Sequence, residues 1–193
     1  MSENANYFKN TLSEIANQIH TTSKLVDWEE ISRIIAIILQ IKAKDKRIFI
    51  YGAGRSGFIG RCFAQRLMHL DIKSCFISDA VTYRYTKDDT LIIISGSGET
   101  VSPVAISKKA KTIGGKIVLF TNNPKSTIAI IADHIIDVRA KSKDIATTAT
   151  SLAPYTSLFD ISVLSILDAI AALLMKNLGK TEKDIDKFHA SLE

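Results

Sequence analysis

Apolar positions along the chain fall into two rhythms. From residue 4 to 25, Phe8, Leu12, Ile15 and Ile19 recur at intervals of three and four, which predicts an amphipathic helix. A second helix is expected over about 28–43, opened by Asp27 and Glu30 as a capping box. After residue 46 the rhythm changes to short, mostly apolar runs: 47–51, 73–77, 90–94, 117–120 and 134–138. Runs such as Leu91-Ile92-Ile93-Ile94 suit parallel strands covered on both faces. Helical spacing returns between them. Ile59, Phe63, Leu67 and Leu70 mark a helix over 57–69, residues 101–113 another, and 126–131 a short one. Gly114-Gly115 stands where a left-handed C-cap is required. A polar loop over 140–157, a long apolar helix over 158–177 and a short helix from Thr181 complete the pattern.

Strands alternating with helices predict a three-layer, doubly wound α/β fold. We expect a five-stranded parallel sheet in the flavodoxin-like order 2-1-3-4-5, with extra N- and C-terminal helices. The 193 residues read as one domain: leading helices at 1–45, sheet core at 46–139, loop and C-terminal helices at 140–193. In that order strands 1 and 3 are neighbours, and a ligand crevice opens between their carboxyl ends.

Both of those ends carry Ser/Gly-rich turns. Gly52-Ala53-Gly54-Arg55-Ser56-Gly57 follows strand 1, and Ser95-Gly96-Ser97-Gly98-Glu99-Thr100 follows strand 3. Glycines let backbone N–H groups approach an anion, and helix N-termini add unpaired donors and partial positive charge. The first turn also fits the dinucleotide pattern G-x-G-x-x-G, with Asp79 near the end of strand 2 as its ribose-binding acid. The second turn favours a single phosphate instead, because it adds three hydroxyls converging on the same crevice. The bland alternative for either turn is a tight strand–helix connection with N-caps.

Composition narrows the classes. Hydrophobic residues make up 46% and charged residues 23%, an ordinary globular balance. The net charge of +5 suits an anionic ligand. Nucleic acid is not expected, because no aromatic residues interleave with the lysines at 42–46 or 108–111. No secretory leader is read in residues 1–9. The 161–175 segment contains Ser162, Ser165 and Asp168 and reads as a buried helix rather than a membrane span. Cys62 and Cys75 are expected to be buried, reduced thiols of a cytoplasmic protein.

Three stretches resemble the sugar isomerase (SIS) domain family, and within it the 6-phospho-3-hexuloisomerases. They are Tyr51 to Gly57, Gly60 to Leu70 (Gly-Arg-Cys-Phe-Ala-Gln-Arg-Leu-Met-His-Leu) and Ile94 to Thr100. The resemblance extends from about residue 29 to the C-terminus. It implies an aldose–ketose type isomerisation, without metal or cofactor, between D-arabino-hex-3-ulose 6-phosphate and fructose 6-phosphate. It further implies a homotetramer whose sites neighbouring subunits complete. Gly54, Ser56, Ser95, Ser97 and Thr100 fall at phosphate-binding positions.

A Pro-Leu-Gly-Thr-Leu-Phe-Glu-like motif appears as Pro154-Tyr155-Thr156-Ser157-Leu158-Phe159-Asp160, with aspartate in place of the catalytic glutamate. A terminal Arg-His-Ala-Asn-Leu-Glu-like tail appears as Phe188 to Glu193, keeping His189. A base must move a proton between adjacent carbons through an enediol(ate), and a donor must polarise the carbonyl oxygen. Asp160 is the expected base, with Arg55 and His189 beside it. Asp160 has a bland alternative, an acid complementing the helix dipole. His69, Tyr83 and Tyr85 read as structural, and Asp168 as a cap or a bond across subunits. A non-catalytic sugar-phosphate sensor is the rival class; no attached helix-turn-helix segment is seen to support it.

Overall fold

A computed structural model describes residues 2–141 and 151–188. The elements run α1 (Glu3–Leu25), α2 (Trp28–Ala43), β1 (Ile48–Gly52), α3 (Arg55–His69), β2 (Ser74–Phe76), β3 (Thr90–Ile94) and α4 (Val101–Ile113). They continue with β4 (Lys116–Thr121), α5 (Thr127–Ile131), β5 (His134–Asp137), α6 (Ser157–Asn177) and α7 (Glu182–Asp186). All strand pairs are parallel, and the sheet order is β2-β1-β3-β4-β5, as expected.

The unbroken apolar strands are explained by burial on both faces. Ile48, Ile50, Ile92, Ile94, Val118 and Phe120 face a core built with α2, α3 and α6. Their neighbours Phe49, Leu91, Ile93, Ile117 and Leu119 face α4 and α5 through Ala110, Ile128 and Ala129. Gly114 closes α4 in the left-handed conformation at φ 97°, accepting the chain reversal that a Cβ would oppose.

Helix α6 is long and apolar enough to cross a membrane, and here it is a core helix. Val163, Leu167, Ile170 and Leu174 are fully enclosed among α1, α2 and α3. Its exposed Asp168 accepts from Arg66 Nε of α3 at 3.2 Å, a pairing within the chain.

Helix α1 seats its apolar stripe only in part, with Ile15 and Ile19 half-buried. Phe8 is 64% exposed and Leu12 is also open, while Gln18 and Thr22 are the buried residues. A polar relay docks α1 on α6: Gln18 Nε2 donates to Thr22 Oγ1 at 3.2 Å, and Thr22 donates to Ser162 Oγ at 3.1 Å. The expected capping box of α2 is half formed. Asp27 accepts from Glu29 N at 2.8 Å, but the Glu30 carboxylate accepts instead from Asp137 N of β5. Burial raises the Glu30 pKa against the pull of that N–H. Cys62 is exposed on the outer side of α3 and Cys75 is half-buried, so neither is the enclosed thiol expected. Burial nonetheless raises the Cys75 pKa.

Candidate functional site

Strand β1 ends at Gly52, and α3 begins at Arg55, two residues earlier than its periodicity suggests. Only Ala53 and Gly54 connect them. Such a short link forces the first turn of α3 onto the strand end. A Cβ on Gly57 would stand 2.6 Å from the Gly52 carbonyl oxygen, so only glycine fits there. Gly54 itself takes φ 56° and offers no side chain to cap the helix.

The second turn is tied to its surroundings at nearly every residue. Ser95 N donates to Phe120 O at 3.0 Å, and Gly98 N donates to Ser95 O at 3.1 Å. Ser95 Oγ also accepts from Gly98 N, and Ser97 Oγ from Glu99 N, each at 3.2 Å. The Glu99 carboxylate takes the Thr127 hydroxyl and N–H at 2.7 Å each, which stitches the turn to α5. The hydroxyl bond, then the N–H, holds its pKa below the usual carboxylate range. Glu99 is therefore a fixed anchor, not a free acid.

The two turns meet. Gly54, Arg55 and Ser56 from the first, and Ser95, Ser97 and Thr100 from the second, line one cavity of about 950 Å³ at the carboxyl edge of the sheet. Among the described residues, no side chain caps the N-termini of α3, α4 or α6, all of which border this cavity. Helices α1, α2 and α5 by contrast spend Ser2, Asp27 and Ser126 as caps. Gly57 N and Ser157 N are taken by the Gly54 and Pro154 carbonyls and Pro103 has no N–H, but the other first-turn N–H groups have no side-chain cap, and the helix dipoles add positive potential there. Such an arrangement binds an anion.

Asp160 sits just behind this wall. It is 2% exposed and does not itself line the cavity. Its Oδ2 accepts from Arg55 Nε at 2.8 Å and from Thr156 Oγ1 at 2.8 Å, and its Oδ1 accepts from Ser56 Oγ at 3.2 Å. The three donors do line the cavity, and the Arg55 side chain is 62% exposed. Asp160 and Arg55, both expected from sequence, are therefore brought together as an ion pair. His189 lies outside the described residues.

Sequence reasoning did not anticipate the far wall. Asn122 and Asn123, at the end of β4, line the cavity, and Asn123 Nδ2 donates to Ser97 O at 3.2 Å. Their position beside the carboxyl end of strand 3 was the available signal. Lys141, Ser151 and Ala153 complete that wall and are held by Glu14 of α1. The Glu14 carboxylate accepts from Lys141 Nζ at 2.9 Å, Ser151 Oγ at 3.0 Å, Leu152 N at 2.7 Å and Ala153 N at 3.0 Å. Burial pushes Glu14 upward, but these four donors together outweigh it and hold its pKa at about 2. Nothing in the sequence around Glu14 signals this contact.

Other acids are accounted for away from the cavity. Asp79, the would-be ribose ligand, accepts from Arg61 Nε at 3.0 Å. Tyr85 packs edge-on against Phe49, and Arg47 stacks over Tyr83. His69 is buried. Among the described residues, no three His, Cys, Asp or Glu side chains gather as metal ligands.

Comparison with known proteins agrees with this geometry. A Methanocaldococcus jannaschii protein named 3-hexulose-6-phosphate isomerase is 37% identical, over 94% of this chain and 96% of its own. A Bacillus subtilis protein of the same name is 34% identical over 94% of this chain and 97% of its own. An Escherichia coli CFT073 protein, solved in complex with A5P, superposes with a TM-score of 0.82. It is 25% identical, with 98% of this chain and all of that one covered. The family described as SIS domain matches residues 41–165, the stretch holding both Ser/Gly turns and Asp160, and the chain belongs to that family.

Proposed function

We propose that this protein is a sugar-phosphate isomerase that interconverts D-arabino-hex-3-ulose 6-phosphate and fructose 6-phosphate. The observation that carries the reading is the shared cavity, where Ser56, Ser95, Ser97 and Thr100 meet the uncapped N-termini of α3 and α4. A phosphate dianion there takes hydroxyl and N–H donors from both sides. The names of the archaeal and bacterial relatives support the substrate, and the A5P complex supports the ligand class.

Isomerisation then needs a proton moved between neighbouring carbons. In this proposal Asp160 is the acceptor. Arg55 is the exposed member of the ion pair, so an arriving sugar draws its guanidinium onto substrate oxygens and opens the carboxylate to the cavity. Arg55 then polarises the carbonyl as the enediolate forms. His189 is assigned a supporting role at a sugar oxygen. The exposed Tyr7, Phe8 and Leu12 of α1 support assembly, which we take to be a homotetramer with shared sites. A cytoplasmic location follows from the substrate, since phosphorylated sugars do not cross bilayers unaided.

The test is a coupled assay on both ketohexose phosphates, with Asp160→Asn in parallel. Wild-type turnover is expected without added metal, and Asp160→Asn should fall about 100-fold or more while still binding sugar phosphate. Near-normal turnover of the variant removes Asp160 from the reaction.

A further inference from the structure

Thr156 breaks two local rules at once. It occupies the N-cap of α6 at φ 66° and ψ −12°, in the left-handed region. The other described non-glycine residues with positive φ are Asp45, Asp71 and Arg139; Thr156 is the one with a β-branched side chain, for which this region is a steric outlier. A threonine at an N-cap also ordinarily adopts extended angles and gives its oxygen to a first-turn N–H. Thr156 does neither. Its hydroxyl donates at 2.8 Å to Asp160 Oδ2, the same oxygen that Arg55 Nε reaches at 2.8 Å. Strain of this kind persists where the surroundings over-determine it.

The surroundings here are the reaction site. Thr156, Arg55 and Ser56 line the cavity, and Asp160 lies one layer behind them. A glycine would take φ 66° freely, yet position 156 holds a residue that supplies a hydroxyl to the carboxylate.

We propose that Thr156 is a positioning residue for the isomerisation. Its strained backbone aims the hydroxyl at Asp160 Oδ2 and fixes that oxygen toward the cavity when Arg55 turns to the substrate. The threonine and the short acid work as one unit. The inference rests on the function proposed above for its kinetic meaning, but the hydrogen bond can be tested without it.

Three variants separate position from mere stability. Thr156→Gly relieves the backbone strain and removes the donor. Its melting temperature should match or exceed wild type while kcat falls about tenfold or more, the scale of one charge-assisted hydrogen bond. KM should move less than about threefold, since the phosphate cradle is untouched. Thr156→Ser keeps the hydroxyl and should recover most of kcat. Wild-type kcat in Thr156→Gly, or no recovery in Thr156→Ser, overturns the proposal. Independently of activity, Thr156→Val should lower the urea midpoint, and that shift should shrink in an Asp160→Ala background because the bond's acceptor is gone. Strict additivity of the two substitutions also overturns it. If wild type isomerises neither ketohexose phosphate, the proposed function falls, and the urea cycle still decides whether Thr156 holds Asp160.

Discussion

Glu14 makes an unusual claim for a residue on a leading helix: it holds the wall of a cavity built by the sheet. Its carboxylate gathers four donors from either side of the 142–150 stretch, and three of the residues it binds (Lys141, Ser151 and Ala153) line the cavity. Glu14→Ala removes all four bonds and leaves the Leu152 and Ala153 N–H groups without their acceptor. An unmade bond costs about 1–3 kcal/mol when the group is buried. These residues are only partly enclosed, so a total of about 2–4 kcal/mol is expected. With a urea m-value of about 2–3 kcal/mol/M for a domain of this size, the midpoint should drop by about 1 M. Glu14→Gln keeps one carbonyl acceptor and should lose about half as much.

The pH dependence sharpens the test. The folded-state pKa of Glu14 is lowered from 4.5 to about 2, so the unfolded chain binds the proton more readily. Its contribution is complete above pH 4.5 and drains away as the pH falls from 4.5 toward about 2. Urea midpoints measured from pH 6 downward should therefore fall more steeply in wild type than in Glu14→Gln, and the two curves should converge in acid. Parallel curves, or a midpoint shift near zero for Glu14→Ala at pH 7, would refute the reasoning.

Other expectations follow from the turns themselves. Ser97→Ala removes an exposed cavity hydroxyl and should weaken sugar-phosphate binding by about three- to tenfold, measured by calorimetry; unchanged affinity speaks against the second turn as a cradle. A Cβ on Gly98, held at φ 65°, would overlap the Ser126 hydroxyl that caps α5. Gly98→Ala should therefore cost about 2–3 kcal/mol, from the left-handed backbone and the displaced cap together, in a denaturation experiment. Cys62 should react readily with a thiol reagent in the native protein while Cys75 reacts slowly, in keeping with their exposure.

The fold was legible because its signals are local. Apolar runs such as Thr90–Ile94 and glycines such as Gly114 fix strand and cap by near-neighbour chemistry, and the order of elements then leaves few topologies. The two Ser/Gly turns were legible for the same reason: both sit directly after strands. What escaped is long-range. Glu14 meets residues more than 120 positions away, and no periodicity marks that encounter. The stripe at Phe8 and Leu12 has helical spacing, but spacing does not say which face is buried; Gln18 and Thr22 took that place by bonding to Ser162 and to each other. Asp160 was found by its motif, yet its enclosure by Arg55 and Ser56 depends on two segments about a hundred residues apart meeting.

The uncapped ends of α3, α4 and α6 tie ligand to folding. Three helix N-termini border one cavity and place partial positive charge together there, and an anion seated among them is favoured in the folded chain alone. Substrate saturation should then act as a thermal stabiliser: at a free concentration one hundred times Kd, the gain is about 2.7 kcal/mol. Heat tolerance of this protein would accordingly track the supply of phosphorylated sugar around it.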